Sequence, residues 1–597
     1  MPCGAAKEVA IERLLAVRTA METFRKASPD PLETSATVAG VGRPALRLAA
    51  ALLLLVGGFA LSVFAAGPAL GIGPTTSTST SVSTSTVATT TTNTLTSPAK
   101  EVVVFAGHGW GHGLGLSQWG AYGYAKHGWS YDRILAHYYT GTTLGPATGR
   151  TVRVLLVSAK KTTLTSTVPW NVTDAAGQHV TLDPGSVVLK GTPVLDAQPT
   201  LQSPFTFAST QPLSVNGTPY RGKLVVSGDG KLVQVVDVVG LEQYLKGVVP
   251  AEMPSNWAPE ALKAQAVASR SYTLANLAKG RPFDLYGDTR SQAYGGVKVE
   301  SPKASAAVDA TKGQVVLYNG QVADTLYFST SGGRTASALE STGIAVPYLV
   351  PVSDPYDTLS PYHDWGPMVL DAAQVAKALK LSAPVADLQL TNGPSGRVRS
   401  VTVVSNDDSQ VTLTGNQVRT ALNLRSTWFT PALLQLLPAT KTMTYGGAVS
   451  LTGVARGVDA VSLESKTAAF PEWAPAGDLT LGPDGSFSTI IRPQVTTQYR
   501  LVWGDVRAGL AKIAVAPRVD ATVGPSSASG SIRPVLAGAT VVLQQQSGTV
   551  WTTVASTVAD PTGTWSFTGA LPAGAYRVRC APGQGLAAGV SATLLVQ

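Results

Sequence analysis

Between Arg47 and Lys100 the chain carries no charged side chain. The first part of that stretch, Leu48 to about Leu70, reads LAAALLLLVGGFALSVFAAGPAL. This apolar run is long enough to cross a bilayer core as a single helix, which takes about 20 residues. Seven basic residues precede it, from Lys7 to Arg47, and none follows it closely. The positive-inside bias therefore puts residues 1–47 in the cytoplasm and everything after about residue 70 outside. A cleavable signal peptide is the alternative reading, because Val63-Phe64-Ala65-Ala66 offers small residues at a cut site. The 47-residue leader is long for that role, and a start at Met21 would favour it. Both readings require export, so the chain is either membrane-anchored through residues 48–70 or secreted.

Residues 71–100 are dominated by a Thr/Ser tract from about 75 to 97. It holds too little apolar side chain to fold and reads as a solvated linker, whether a stalk that gives reach or an inert spacer. The full length of 597 residues is too long for one core, so several domains follow. Only 14% of residues are charged, which suits β-rich extracellular modules better than a cytosolic enzyme. Cysteine occurs only at Cys3 and Cys580, so no disulfide framework exists and a cysteine-ligated zinc in the centre is excluded. A net charge of +9 favours anionic partners, or serves solubility alone. No Arg/Lys run with interleaved aromatics points to nucleic acid.

The last third repeats at a spacing of about 77 residues. Gly453 matches Gly530, Gly485 matches Gly563, and Tyr499-Arg500 matches Tyr576-Arg577. Short strand-like runs separated by turn residues fit two all-β sandwich modules, 440–517 and 518–597. Trp473 and Trp551 occupy matching positions. They are candidates for stacking on sugars, although core placement is the commoner fate of a Trp in a small sandwich.

Three stretches stand out in residues 101–436. The first, from Gly107, is GHGWGHGLGLSQWGAYGYAKHGW. Its closely spaced glycines suggest a tight loop that presents His108, His112, Gln118 and Trp119. His108 and His112 have the spacing of a helical metal pair, but the glycines between them argue against a helix and favour a hydrogen-bonded loop. The second runs from Val238 through Lys279. Pro259 and Glu260 suit the first turn of a helix extending to about Leu277, on which Lys263 and Arg270 share a face. Glu252 precedes this helix in an apolar, proline-stiffened loop, where desolvation would raise its pKa toward what a general acid needs. Glu242 and Glu260, in helical segments, read as solvated. In the third, Asn319-Gly320 between alternating apolar runs predicts a hairpin that brings Ser329, Ser331, Gly332, Gly333 and Arg334 to a strand end. These small polar residues suit a hydroxyl-rich ligand, and a plain turn would look the same.

Together these stretches resemble the SpoIID/LytB family, the stage II sporulation protein D-like wall enzymes. The resemblance rests on Glu242-Gln243-Tyr244-Leu245, on Val249-Pro250-Ala251-Glu252-Met253-Pro254, and on Ala261-Leu262-Lys263-Ala264-Gln265-Ala266 with Arg270 and Tyr272. Gln292, Tyr294-Gly295-Gly296, Ser329 to Thr335, Pro347-Tyr348-Leu349 and the Gly107 to Ala121 motif reinforce it. The implied fold is an α+β, strand-rich central domain with one main helix, followed by the two β modules and preceded by the single membrane helix. The implied activity is lytic transglycosylation of peptidoglycan glycan strands, notably peptide-stripped ones, with Glu252 as the acid. In that reading Lys263 and Arg270 position the substrate or the acid, and Gln292, Tyr294, Ser329 and Gln118 line the groove. Ser331, His108 and His112 join them as candidate substrate contacts, while Trp257 either stacks on a sugar or plugs the helix. Two departures narrow the expectation. The Gly-His-Gly module precedes the catalytic stretch, which implies a permuted order, and Ser291 stands where some relatives carry a cysteine near a metal, so neither metal nor cofactor is expected. A single acid suffices chemically, because the sugar's own 6-hydroxyl can replace the second carboxylate of a hydrolase. The competing expectation is a non-catalytic glycan binder that stimulates a wall amidase.

Overall fold

A computed structural model describes residues 95–96 and 101–597, apart from 197, 199 and 279. The expected cytoplasmic segment, the membrane run at 48–70 and nearly all of the linker lie outside the described residues. Among the described residues no helix is long and apolar enough to cross a membrane. Leu95–Thr96, near the end of the Thr/Ser tract, pairs in parallel with Val506–Arg507 of the first C-terminal module.

The chain is strand-rich, but its helices are more numerous than the single main one expected. Strand β1 (Glu101–His108) lies between β2 (Asp364–Asp371) and β3 (Phe429–Pro438), and the sheet continues through β4 (Val449–Arg456) to β5 (Ser486–Ile491). Strand alternation gives β1 two buried faces. Val102 and Val104 join Leu434, Leu451 and Leu501 in the core of the first module. Val103 and Phe105 join Val375, Val401 and Leu433 on the other side. The expected boundary near residues 436–440 is therefore crossed by a continuous sheet, with Leu433 opposite Arg456 and Pro438 opposite Leu451.

The segment around Glu252 is built differently. Strands Thr151–Ala159 and Val233–Gly240 run side by side as the second and third strands of a seven-stranded sheet. Helix α2 (Leu241–Glu252) and helix α3 (Pro259–Ala275) pack Tyr244, Leu245, Val248 and Leu262 against Val152, Val154 and Val239. Helix α1 (Gln118–Lys126) arrives from the Gly-rich stretch, capped by the Ser117 hydroxyl, and buries Ala121 and Tyr124 against Ala264, Val267 and Ala268 of α3. Just ahead of it Leu116–Ser117 pairs in parallel with Tyr327–Phe328, a contact between segments more than 200 residues apart. Asn319 and Gly320, at φ of 50° and 75°, make the tight turn joining Gln314–Tyr318 to Gln321–Val322, as the dipeptide predicts.

The two C-terminal units repeat the same devices. Gly453 faces Phe487 across strands, and Gly530 faces Trp565. A Cβ at either glycine would meet the facing ring and a neighbouring strand's carbonyl, Gln435 for one and Asp520 for the other. Gly485 and Gly563 take φ of 77° and 79° in matching turns. Trp473 and Trp551 are not core residues. Arg500 lies 4.1 Å from the Trp473 ring centroid, and Arg577 lies 4.4 Å from that of Trp551. Alternation explains the pairing: Tyr499 and Tyr576 turn into the cores, so the arginines that follow them turn outward onto the tryptophans.

Candidate functional site

Glu252 closes α2 rather than sitting in a loop. Pro250 falls in the helix's last turn, Met253 N–H caps onto the Val249 carbonyl, and Met253 itself is extended, at φ −133° and ψ 135°. Extension is the conformation forced on a residue that precedes a proline, here Pro254. The helix therefore stops with its last side chain turned toward residues brought by other segments.

Ala293 N–H donates to Glu252 Oε1 at 2.6 Å. The Tyr327 hydroxyl and the Gln118 amide also face the carboxyl. Gln118 Nε2 donates to the Glu252 carbonyl at 3.1 Å and toward Gln265 Oε1 at 3.4 Å. Tyr327 OH donates to Gln292 Oε1 at 2.9 Å, and Gln292 Nε2 donates to Thr273 Oγ1 at 2.9 Å, so buried Gln292 holds the tyrosine in place. Desolvation pushes the Glu252 carboxyl up to about 7, against the opposing hydrogen bonds from Ala293, Tyr327 and Gln118. Beside it stand three aromatic rings. Trp257 stacks on Tyr122 at 4.6 Å and 16°, and meets Trp119 at 4.6 Å. Trp257 is only 8% exposed and fills the core under α2 and α3, which leaves the partly exposed Trp119 and Tyr122 as the available faces.

The other candidates divide by what they touch. Gln118 reaches Glu252 directly and Gln292 through Tyr327, while the Ser329 carbonyl accepts Trp119 N–H at 3.0 Å and its hydroxyl lies 3.2 Å from that of Thr330. Arg270 does not join them. Its guanidinium is fully buried, pairs with Glu242 through two bonds of 2.9 and 2.6 Å, and donates to the Val308 and Gln314 carbonyls. Glu242 is accordingly a buried-pair partner and not a solvated acid. Lys263 pairs with Glu260 at 2.7 Å, and Glu260 also accepts Tyr131 N–H at 2.9 Å, so that carboxylate is engaged as well. Tyr294 gives its hydroxyl to buried Asp237 at 2.8 Å, and Ser331 gives its own to buried Asp357 at 2.8 Å. Each of these four pairings holds the frame around the site.

His108 Nδ1 lies 2.6 Å from Asp364 Oδ1. His112 accepts Leu114 N–H at Nδ1, which leaves Nε2–H to donate to the Tyr327 carbonyl at 3.1 Å. Burial and the charges of Arg419 and Arg397 bring the His112 pKa down to about 4, so the ring is neutral and works as a strut behind Tyr327. Among the described residues no group of three or more His, Cys, Asp or Glu side chains could hold a metal ion. The Ser291 hydroxyl accepts Tyr286 N–H at 3.1 Å and closes the turn that leads to Gln292.

Tyr327, the Ala293 amide and Tyr122 were not singled out from the sequence. The alternation of the Tyr327-Phe328-Ser329 run was a usable signal for Tyr327, but a backbone amide such as Ala293 leaves none.

A family model described as Stage II sporulation protein (SpoIID) matches residues 229–318. The chain is 30% identical over 254 residues to Stage II sporulation protein D of Bacillus subtilis (strain 168), covering 39% of this chain and 73% of that protein. It is 39% identical over 141 residues to the Amidase enhancer of the same organism, covering 24% of this chain and 19% of that one. An uncharacterized protein of Brachyspira hyodysenteriae is 38% identical over 146 residues, covering 24% of this chain and 40% of that protein.

Proposed function

This chain belongs to the stage II sporulation protein D family, and from that premise we propose that it is an exported lytic transglycosylase acting on peptidoglycan glycan strands. The observation that carries the reading is a single carboxyl, Glu252, held near pKa 7 beside partly exposed aromatic faces, with its hydrogen-bond partners drawn from an amide, a tyrosine and a glutamine. A group of that pKa is protonated often enough at neutral pH to act as an acid and deprotonated often enough to act as a base. Glu252 gives its proton to the glycosidic oxygen as the C1–O bond breaks. The sugar's own 6-hydroxyl then attacks C1 and its proton returns to Glu252, leaving a 1,6-anhydro end and restoring the acid. Trp119 and Tyr122 supply stacking faces for sugar rings, while Gln118 and Ser329 offer hydrogen bonds to hydroxyls. The permuted order fits this reading. The two ends of the domain, β1 and β3, are adjacent antiparallel strands, so joining or opening the chain there would leave the packed body intact.

A second reading rests on the relative named Amidase enhancer: the domain binds glycan and recruits or stimulates a wall amidase without cleaving anything itself. One experiment separates the two. Purified wild type and Glu252→Gln are incubated with peptide-free glycan strands, and the products are analysed by mass spectrometry. Anhydromuramic ends from wild type alone support the transglycosylase. Equal release by both proteins would sink the role given to Glu252, and no release together with faster turnover by an added amidase would favour the activator.

A further inference from the structure

Three arginines surround the Gly109–Gly113 turn, and the chemistry of Glu252 uses none of them. Arg425 lies with its guanidinium 4.1 Å from the Tyr362 ring centroid and 4.9 Å from that of Trp110. The two rings meet edge-on at 4.6 Å and form a corner around the guanidinium. The backbone ties this corner to the Gly-rich turn, because the Arg425 carbonyl accepts Gly111 N–H at 3.0 Å. Arg397 is 3% exposed, donates to the Ser331 and Arg334 carbonyls, and keeps its Nε without a partner. Arg419 reaches only the Asn416 side-chain oxygen and the Arg425 carbonyl, each at 3.4 Å.

Among the described residues none of the three lies within ion-pair distance of a carboxylate. Glu340 and Asp357 act on Arg397 only from beyond that distance, and the three together remain an unusual concentration of positive charge for partly and fully buried positions, because a cation away from water without a paired carboxylate is costly. The field is felt locally: Arg419 and Arg397 both act on His112 to disfavour its charged form. Arg425 keeps partial exposure, as do Trp110 and Tyr362, and among the described residues its guanidinium donates no hydrogen bond, whereas the partly exposed Arg419 turns its donors to Asn416 and the Arg425 carbonyl. A stacked, oriented guanidinium with vacant donors is the arrangement that recognises carboxylate or phosphate through paired bonds. The flanking rings offer apolar surface to sugar or polyol carbons attached to such an anion.

The geometry points to an anion-binding site at Arg425, walled by Trp110 and Tyr362, that holds the carboxylate or phosphate of an acidic extracellular polymer. It shares no side chain with the Glu252 cluster. The nature of the polymer rests on the cell-wall reading above, whereas the anion site itself does not depend on whether Glu252 is catalytic.

The test measures binding of the full chain by calorimetry at low salt, with three probes. These are peptide-free glycan strands, the same strands with their lactyl carboxyls reduced to alcohols, and a glycerol phosphate polymer. Arg425→Ala is expected to weaken binding about tenfold or more to whichever anionic probe the site serves, with the salt dependence reduced. Arg425→Lys falls between, since it keeps charge and loses the fork. Loss confined to the unreduced strands identifies a carboxylate, loss confined to the phosphate polymer identifies a phosphate, and either outcome supports the site. The loss caused by Arg425→Ala should be the same when measured in a Glu252→Gln background, so a failed catalytic reading and a failed anion site are distinguishable. Should Arg425→Ala not fold, Arg425→Gln takes its place with the same expectation. Wild-type affinity of a folded Ala or Gln variant for all three probes, or no binding of any probe by wild type, overturns the proposal.

Discussion

Replacing Glu252 with Gln should make the protein more stable, and increasingly so as pH rises. The folded carboxyl has its pKa raised from an ordinary 4.5 to about 7, chiefly by desolvation. A group with a raised folded pKa binds its proton more tightly in the folded state. Between about pH 4.5 and 7 the folded chain therefore carries a proton that the unfolded chain has released, and stability falls as pH rises through that window. A rise to about 7 corresponds to roughly 3 kcal/mol once pH exceeds both values, and partial exposure of the residue reduces this to ~2 kcal/mol. Gln keeps the shape and cannot titrate. Asp237 and Asp354, whose carboxyls burial also pushes up to about 7, are present in both proteins and cancel in the difference. The assay is native-state hydrogen exchange at amides of residues 241–275, because a chain of several domains does not unfold in one step. The gap in opening free energy between variant and wild type should widen by ~2 kcal/mol from pH 5 to pH 8. A gap that stays constant would refute the assignment of a raised pKa to Glu252.

Tyr327→Phe removes a hydroxyl that holds the Glu252 pKa down, so the limb of the pH–activity profile set by that acid should move upward; a downward or absent displacement in kcat/KM against pH would contradict the geometry. Glu242→Ala strands the fully buried Arg270 and should cost about 3–5 kcal/mol in the opening free energy read by hydrogen exchange at amides of residues 241–275, whereas replacing both residues with apolar side chains should cost much less. Gly530→Ala should destabilise the last module by more than ~2 kcal/mol and lower its melting transition, because the new methyl has no space between the Trp565 ring and the Asp520 carbonyl. An unchanged melt would mean that the facing strands part easily.

Local signals in the sequence were read correctly where one short segment determines the outcome. Pro259 opens α3, and Asn319-Gly320 makes its turn, because the backbone preferences of those residues suffice on their own. The Gly453/Gly530 repeat also survives into structure, since each glycine is required by a ring directly opposite. Readings that depended on a distant partner went differently. Arg270 looked free on a helix face, and only the fold brings Glu242 against it from 28 residues away. Pro250 suggested a loop around Glu252, yet a proline in the final turn removes one hydrogen bond and still lets the helix end two residues later. Trp473 and Trp551 invited core placement, but the core positions beside them go to Tyr499 and Tyr576. The backbone amide of Ala293, which holds the carboxyl, has no signature in side-chain chemistry.

Strand β1 has a consequence for how this gene can tolerate change. Its odd- and even-numbered residues serve different interiors, Val103 and Phe105 one, Val102 and Val104 the other. Deleting or inserting a single codon between Glu101 and Phe105 would exchange the two sets and misfill both interiors together. Eight residues at the front of the described body thus act as a frame-sensitive shackle. The first β module cannot be lost, swung aside or swapped for another without loosening the sheet that ends at the Gly-His-Gly turn.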